Sequence, residues 1–275
     1  MTRICYIAVI GVTGAGKTTF ISKATGRTNL AIGHSLDSCT KEIEEFRCRV
    51  DGTEVVLLDT PGFDDTYDTD ADILERIAEY MHASYQSGTL LSGLILLQPI
   101  NTIRLTNSER TRTRLFKKIL GENAYHRVVI GTTMWESLAD SGAGNRRRDE
   151  RMVRDDAWGD MRSRGAKVMD HYNTRESALR ILRHILRSSA TIRLQMQEEL
   201  SQNPNVFETS AGRQLDEDLE NEITRLKTEL AKLRNEKDVT DEELSQLQEQ
   251  VAKFERKKRS FRRRVVRTLR SCSVM

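Results

Sequence analysis

The sequence predicts an α/β fold: a doubly wound, mostly parallel sheet with one antiparallel edge strand, followed by a long C-terminal helix or coiled coil. Three observations predict it. Short apolar runs alternate with amphipathic helical stretches from Ile4 to about residue 190, the pattern of strands buried between helices. Asp51-Gly52 joins two of those runs and is a tight hairpin signal, so one pair is antiparallel. Beyond Gly212 the apolar period changes and no strand pattern returns.

The elements follow in order. Ile4 to Ile10 is a nearly unbroken apolar run, as expected of a strand covered on both faces. TFISKATG after it reads as a helix. Phe46, Cys48 and Val50 alternate along an edge strand, and TEVVLLDT is a more buried strand. DADILERIAEYMHASYQ is helical, LSGLILLQ a strand, SERTRTRLFKKILG a helix stopped by Gly121, and RVVIGTT a strand. Residues 148–164 read as one helix, AKVMDHY as a short strand, and RESALRILRHILRS as an amphipathic helix. NRRRDER, 145–151, reads as solvated surface with its charges balanced.

Past Gly212, apolar or tolerated residues fall at 219, 223, 226, 230, 233, 237, 240, 244, 247, 251 and 254. Steps of four and three without a slip favour one long helix in a coiled coil, with Lys237 as a polar register position. Thr240-x-x-Glu243 is a capping box, so the rival is a helix ending near Lys237 and a second folding back. The organisation expected is a nucleotide domain over 1–190, a helical extension over 191–255 and a basic tail over 256–275.

Of 275 residues, 37% are hydrophobic and 31% charged, with a net charge of +3. Nine Lys and Arg fall between Arg256 and Arg270 with no acid among them, so the rest of the chain is net acidic. No run of eighteen apolar residues offers a membrane span, and the N-terminus reads as a strand, not a signal peptide. Cysteines 5, 39, 48 and 272 have no paired or metal-ligand spacing, which suits a reducing, cytoplasmic compartment.

The first strand runs into Gly-x-x-x-x-Gly-Lys-Thr, Gly11 to Thr18. Glycines at 11, 14 and 16 let the chain curl until the N–H groups of Thr13, Gly14, Ala15 and Gly16 point inward. With the helix N-terminus at Lys17, Thr18 and Thr19 they form a cradle for a diphosphate. Lys17 reaches the β- and γ-phosphates and the Thr18 hydroxyl ligates Mg²⁺. Downstream, Asp59-Thr60-Pro61-Gly62 ends a buried strand. There Asp59 holds Mg²⁺ through water and the Gly62 N–H meets the γ-phosphate. Thr40, in the polar segment SCTKE, is the candidate γ-phosphate sensor that completes the metal shell. Lys17 and Thr40 are the expected catalytic pair. For the base, Thr133-Met134-Trp135-Glu136 offers Glu136 as the carboxylate that selects guanine and Met134 as an apolar platform. Asn173, after AKVMDHY, is the second base-side candidate. FETSAG, 207–212, lies too late in the chain to serve a purine and reads as the approach to the C-terminal helix.

Together GVTGAGKTT, SCTKE, DTPGFDDT and TTMWE resemble the septin-like branch of P-loop GTPases, which includes immunity-associated GTPases, chloroplast import receptor GTPases and septins. ESALRIL, QEEL and ETSAGRQL add to the likeness, closest to fungal GTPase-domain proteins with a C-terminal coiled coil. The resemblance implies GTP and GDP as ligands with Mg²⁺, and hydrolysis of GTP to GDP and phosphate. Glu136 departs from it, standing where relatives carry Asp. Phe63 follows Gly62 where Ras-type enzymes carry a water-orienting Gln, and a phenyl ring cannot orient water. The resemblance then implies slow intrinsic turnover and a homodimer across the nucleotide face.

Cys272-Ser273-Val274-Met275 fits a C-a-a-X prenylation pattern at Cys272. The basic residues upstream supply the second signal that one prenyl chain needs at an anionic membrane. The expected location is cytoplasmic, peripheral on the cytosolic face of a membrane. Apart from Phe261 the tail lacks interleaved aromatics, which argues against nucleic acid. Two readings stand: a GTP-dependent switch at a membrane, or a membrane-tethered coiled-coil scaffold with a static nucleotide site. ATP in place of GTP remains open.

Overall fold

A computed structural model of the chain describes residues 3–27, 43–63, 70–235 and 240–268, with side chains as far as residue 263. Thr40, Lys237, Cys272 and the segment after Phe63 lie outside the described residues.

Six strands form one sheet: β1 (Ile4–Gly11), β2 (Glu44–Val50), β3 (Thr53–Asp59), β4 (Leu91–Pro99), β5 (Val128–Thr133) and β6 (Lys167–Asp170). Their order is β2-β3-β1-β4-β5-β6. All neighbours are parallel except β2 with β3, which pair antiparallel through the Asp51-Gly52 turn with Val50 opposite Thr53. Asp51 and Gly52 both have positive φ, 47° and 83°, as a two-residue hairpin requires. The order reverses at β1, so the C-terminal ends of β1, β3, β4 and β5 open a crevice there, the usual ligand position in such sheets.

Helices cover both faces. On one, α1 (Lys17–Thr25) and α6 (Arg175–Leu186) bury Phe20, Ile21, Ile181 and Leu182 against Ile7, Val9 and Leu57. On the other, α2 (Asp70–Gln86) and α3 (Asn107–Leu120) bury Ile77, Met81, Phe116 and Ile119 against Ile10, Val56 and Leu96. The stretch expected as one helix is two, α4 (Ser141–Val153) and α5 (Gly159–Ser163). Asp140 caps the first by accepting from the N–H groups of Gly142 and Ala143.

NRRRDER is part of α4 and is not free surface. The Arg151 guanidinium is 2% exposed and donates to Glu109 Oε1 at 2.9 Å, while Arg148 donates to Asp170 Oδ2 at 2.7 Å. The local charge balance therefore gave the wrong reading: the partners lie on α3 and β6, far away in the chain.

The core continues past residue 190. Ile192 bridges to Leu91, and α7 (Gln195–Gln202) buries Met196 and Leu200 in the same cluster as α2 and α3. FETSAG is a helix start: the Thr209 hydroxyl accepts from the Gly212 N–H at 3.0 Å and α8 (Ser210–Leu233) begins. The expected single long helix is instead two. Helix α9 (Asp241–Thr268) starts at the capping box, with Glu243 Oε2 accepting from the Thr240 N–H at 3.0 Å. It folds back so that Leu226 and Leu230 meet Leu247 and Val251 within one chain. The 4-3 seam is real, but the polar positions 237 and 240 interrupt it where a turn can form, and an antiparallel hairpin satisfies the same pattern. Phe261 is 1% exposed, against Phe207, and so pins the end of α9 to the main core. Helix α9 crosses the expected boundary at 255/256 without a break. No described helix is long and apolar enough to cross a membrane.

Candidate functional site

The crevice at the end of β1 is built first by backbone. Gly14 and Gly16 have φ of 76° and 89°, a conformation that other residues adopt with strain. Gly16 is the left-handed residue from which α1 springs, so the helix N-terminus opens onto the loop. Lys17 is buried and folds back over the loop, donating to the Val12 and Gly11 carbonyls at 3.1 and 3.3 Å. The Thr133 hydroxyl, from β5, donates to the Ala15 carbonyl at 2.9 Å, which fixes the far side of the loop to the sheet.

Thr18 and Asp59 meet as their types require. The Thr18 hydroxyl donates to Asp59 Oδ2 at 2.7 Å, on the ends of α1 and β3. Hydroxyl and carboxylate are hard oxygen donors of the kind that suits Mg²⁺. Among the described residues no group of three His, Cys, Asp or Glu could hold a metal alone. Nucleotide oxygens and water would have to complete the shell, as in phosphoryl-transfer sites that take the ion with its nucleotide.

Gly62 and Phe63 lie flush against the loop. The Thr13 N–H donates to the Phe63 carbonyl at 2.8 Å and the Thr13 hydroxyl to the Gly62 carbonyl at 3.2 Å. A Cβ on Gly62 would stand 2.5 Å from Thr13 Oγ1, so only glycine permits this approach. Thr13 thus lends its amide to the strip 62–63, where the sequence suggested a phosphate contact. Phe63 is fully buried with its ring edge-on to Phe116 at 5.0 Å. It packs this strip and has no polar atom to offer a water.

The base side is a cavity of about 120 Å³ lined by Gly16, Thr19, Thr133, Met134, Glu136, His171 and Asn173. The two segments expected to serve the base therefore converge beside the phosphate loop. Met134 and Asn173 have φ of 62° and 55°, conformations Asn tolerates and Met adopts with strain. Glu136 is exposed at the rim, while Trp135 is turned inward, donating from Nε1 to Thr132 Oγ1 at 3.0 Å. Asp170 braces the two loops: it accepts from the Thr132 hydroxyl at 2.8 Å and from Arg148.

His171 opens the stretch 171–174 in which a base-side residue is expected, and it lines the cavity together with Asn173. It is buried, with its ring 5.0 Å from that of Phe20 and Nδ1 2.8 Å from Ser177 Oγ. Burial pushes its imidazole down to about 4, with Lys23 and Arg180 adding to the effect. It therefore faces the cavity neutral at physiological pH. Its signal was its place directly after the last strand, Lys167–Asp170.

Comparison with known proteins agrees with this geometry. Residues 6–130 match the 50S ribosome-binding GTPase family. That match covers the loop, the Asp59 strand and β4. The chain has the α/β P-loop GTPase fold. The domain is 32% identical over 85 residues to GTPase Der of Buchnera aphidicola, covering 31% of this chain and 18% of that protein. It is 23% identical over 134 residues to GTP-binding protein A of Dictyostelium discoideum, covering 49% of this chain and 29% of that one. The chain thus spans less than a third of the length of either relative. In fold it is similar to a dimerisation-deficient mutant of Toc33 from Arabidopsis thaliana, with a TM-score of 0.56 at 12% identity over 70% of this chain and 88% of that one. Toc33 with GDP and Mg²⁺ gives a TM-score of 0.50 at 14% identity over 63% and 72%.

Proposed function

We propose that this chain is a Mg²⁺-dependent GTP-binding protein that hydrolyses GTP slowly and dimerises across its nucleotide face at a membrane surface. The observation that carries the nucleotide reading is one continuous crevice. At its phosphate end the Lys17 loop adjoins the Thr18–Asp59 pair at 2.7 Å. At its other end Met134, Glu136 and Asn173 line a cavity that borders Gly16. Glu136 accepts two N–H bonds from the guanine edge, which adenine does not present. Thr18 and Asp59 would hold Mg²⁺, and the ion would offset charge on the transferring phosphoryl group. Lys17 would leave its loop carbonyls for the β- and γ-phosphates.

Slow turnover is inferred from Phe63, whose buried ring follows Gly62 and has no polar atom to orient water. A second protomer across the face is the natural source of one. Dimerisation is named as important for the GTPase activity of the Toc33 and Toc159 proteins, which share this fold at 12% identity. The membrane part of the reading rests on the basic segment from Arg256 onward.

One observation favours the second reading, a scaffold with a static nucleotide. The strip 62–63 is already bound to the loop by backbone, and the Phe63 ring is buried, an arrangement suited to holding a nucleotide without turning it over.

Titration with labelled GTP, GDP and ATP in Mg²⁺, then phosphate release across protein concentrations, separates the two. The switch reading expects guanine selectivity and a rate per molecule that rises with concentration. Tight GTP binding with no phosphate release at any concentration establishes the scaffold. Preference for ATP overturns the role given to Glu136.

A further inference from the structure

Helix α9 has two opposite faces with opposite electrostatic fates. The inner face holds Leu247, Val251 and Phe261 against α8 and the core. Its bases are matched: Lys258 pairs with Glu220, Arg262 Nη2 lies 2.6 Å from Asp216, and Lys227 of α8 lies 2.7 Å from Glu255. The outer face carries Arg256, Arg259, Ser260 and Arg263, which line a shallow groove of about 360 Å³. At 100° per residue these four fall within about a third of the helix circumference. Their centre lies opposite Val251 and Phe261.

The three outer residues are exposed and have no ion pair among the described residues; Arg259 stands at the edge of the stripe, where it also borders the inner groove beside Glu255. The acids of α8 neutralise only the docked side. Because Phe261 and the ion pairs fix the rotation of α9, the arginine stripe cannot turn away. It is presented at a set angle to the GTPase domain.

We infer that this outer face, Arg256, Arg259 and Arg263, is the surface that meets an anionic lipid bilayer, with α9 lying along the membrane while its inner face stays docked. This rests on the membrane reading above and adds which residues touch lipid and in which orientation the domain is held. Three features favour a lipid surface. The stripe is straight and about 11 Å long, suited to a plane of headgroups. Guanidinium groups take phosphate oxygens two at a time. No aromatic side chain stands on this face to stack bases. In sequence the same spacing continues to Arg267.

The test uses the full chain made in bacteria, which adds no prenyl group, and flotation with vesicles. One set is neutral phosphatidylcholine and the other includes phosphatidylserine. The variant Arg256→Glu/Arg259→Glu/Arg263→Glu is set against Lys118→Glu/Lys232→Glu/Arg234→Glu, which changes charge equally on exposed positions elsewhere. Unfolding midpoint and GDP binding confirm that both fold. The expected result is binding of wild type to the anionic vesicles only, lost by a factor on the order of 10 to 100 in the α9 variant and within about twofold of wild type in the other. Equal loss in both variants makes the effect general charge and overturns the inference. So does wild-type binding by the α9 variant, which leaves the membrane reading standing. No wild-type binding to either vesicle also overturns the inference, since the stripe then holds no anionic surface by itself, while the membrane reading keeps its other support, prenylation at Cys272.

Discussion

The phosphate end and the base end of the crevice are made of different material. The phosphate end is backbone: curled amides, a helix N-terminus, and one hydroxyl–carboxylate pair between α1 and β3. The base end is side chains on two loops, held together by Asp170 between Thr132 and Arg148. Amides are supplied by any sequence once glycine permits the curl, so few residues are constrained there. A wall of side chains can exchange Asp for Glu or Lys for Met and keep its shape. On the function proposed, the difference says where a substitution should act: on all nucleotides at one end, on the choice among them at the other.

The largest expected effect is at the phosphate end. Lys17→Ala removes a buried ammonium held by loop carbonyls. Charge-assisted bonds to phosphate oxygens carry about 1.5–3 kcal/mol each, so affinity should fall roughly 100-fold or more, alike for GTP and ATP and less for GDP, which has no γ-phosphate. Titration with the three labelled nucleotides checks this. A loss confined to GTP would mean that the two ends are not independent.

Glu136→Gln comes next and should reverse that signature. Losing a charged acceptor for two guanine N–H groups costs about 1.5–3 kcal/mol. GTP affinity should drop on the order of 10- to 100-fold while ATP affinity holds. Glu136→Asp should lose less, since the carboxylate stays. Equal loss of GTP and ATP would place Glu136 outside the base contact and make it a prop for the 3₁₀ turn at Trp135–Ser137.

What was legible in the sequence divides along similar lines. The loop, the alternation of strands with helices and the Asp51-Gly52 edge could be read because backbone demands are local: a positive φ asks for glycine, and a buried strand for an apolar run. Arg151 and Arg148 could not, because a charge run looks the same whether its carboxylates are solvent or lie, like Glu109 and Asp170, 42 and 22 residues away. The C-terminal seam was legible as a seam, but its partner was not. An apolar stripe of period 3.5 does not state whether it meets another chain or its own second half, and the Thr240–Glu243 cap settled it in favour of the hairpin. The stretch 171–174 was legible as a base-side loop, but a role for His171 within it was not, because one histidine after a strand carries no pattern.

His171 gives the smallest effect, and it tests the base end through a buried imidazole that lines the same cavity as Glu136. In the unfolded chain its imidazole takes a proton near 6.5; in the fold burial holds it down to about 4. Between those values the unfolded state binds a proton the folded state refuses, so stability is full above pH 6.5 and falls as pH drops toward 4. The ring keeps some contact with the cavity, so the loss should be on the order of 1–2 kcal/mol across that window. Denaturant unfolding from pH 8 to 4.5 measures it. His171→Asn leaves an amide facing Ser177 and no titrating ring, and should flatten the slope in the same window. A variant slope as steep as that of wild type would shift the acid sensitivity to other groups and leave the neutral histidine as mere packing against Phe20.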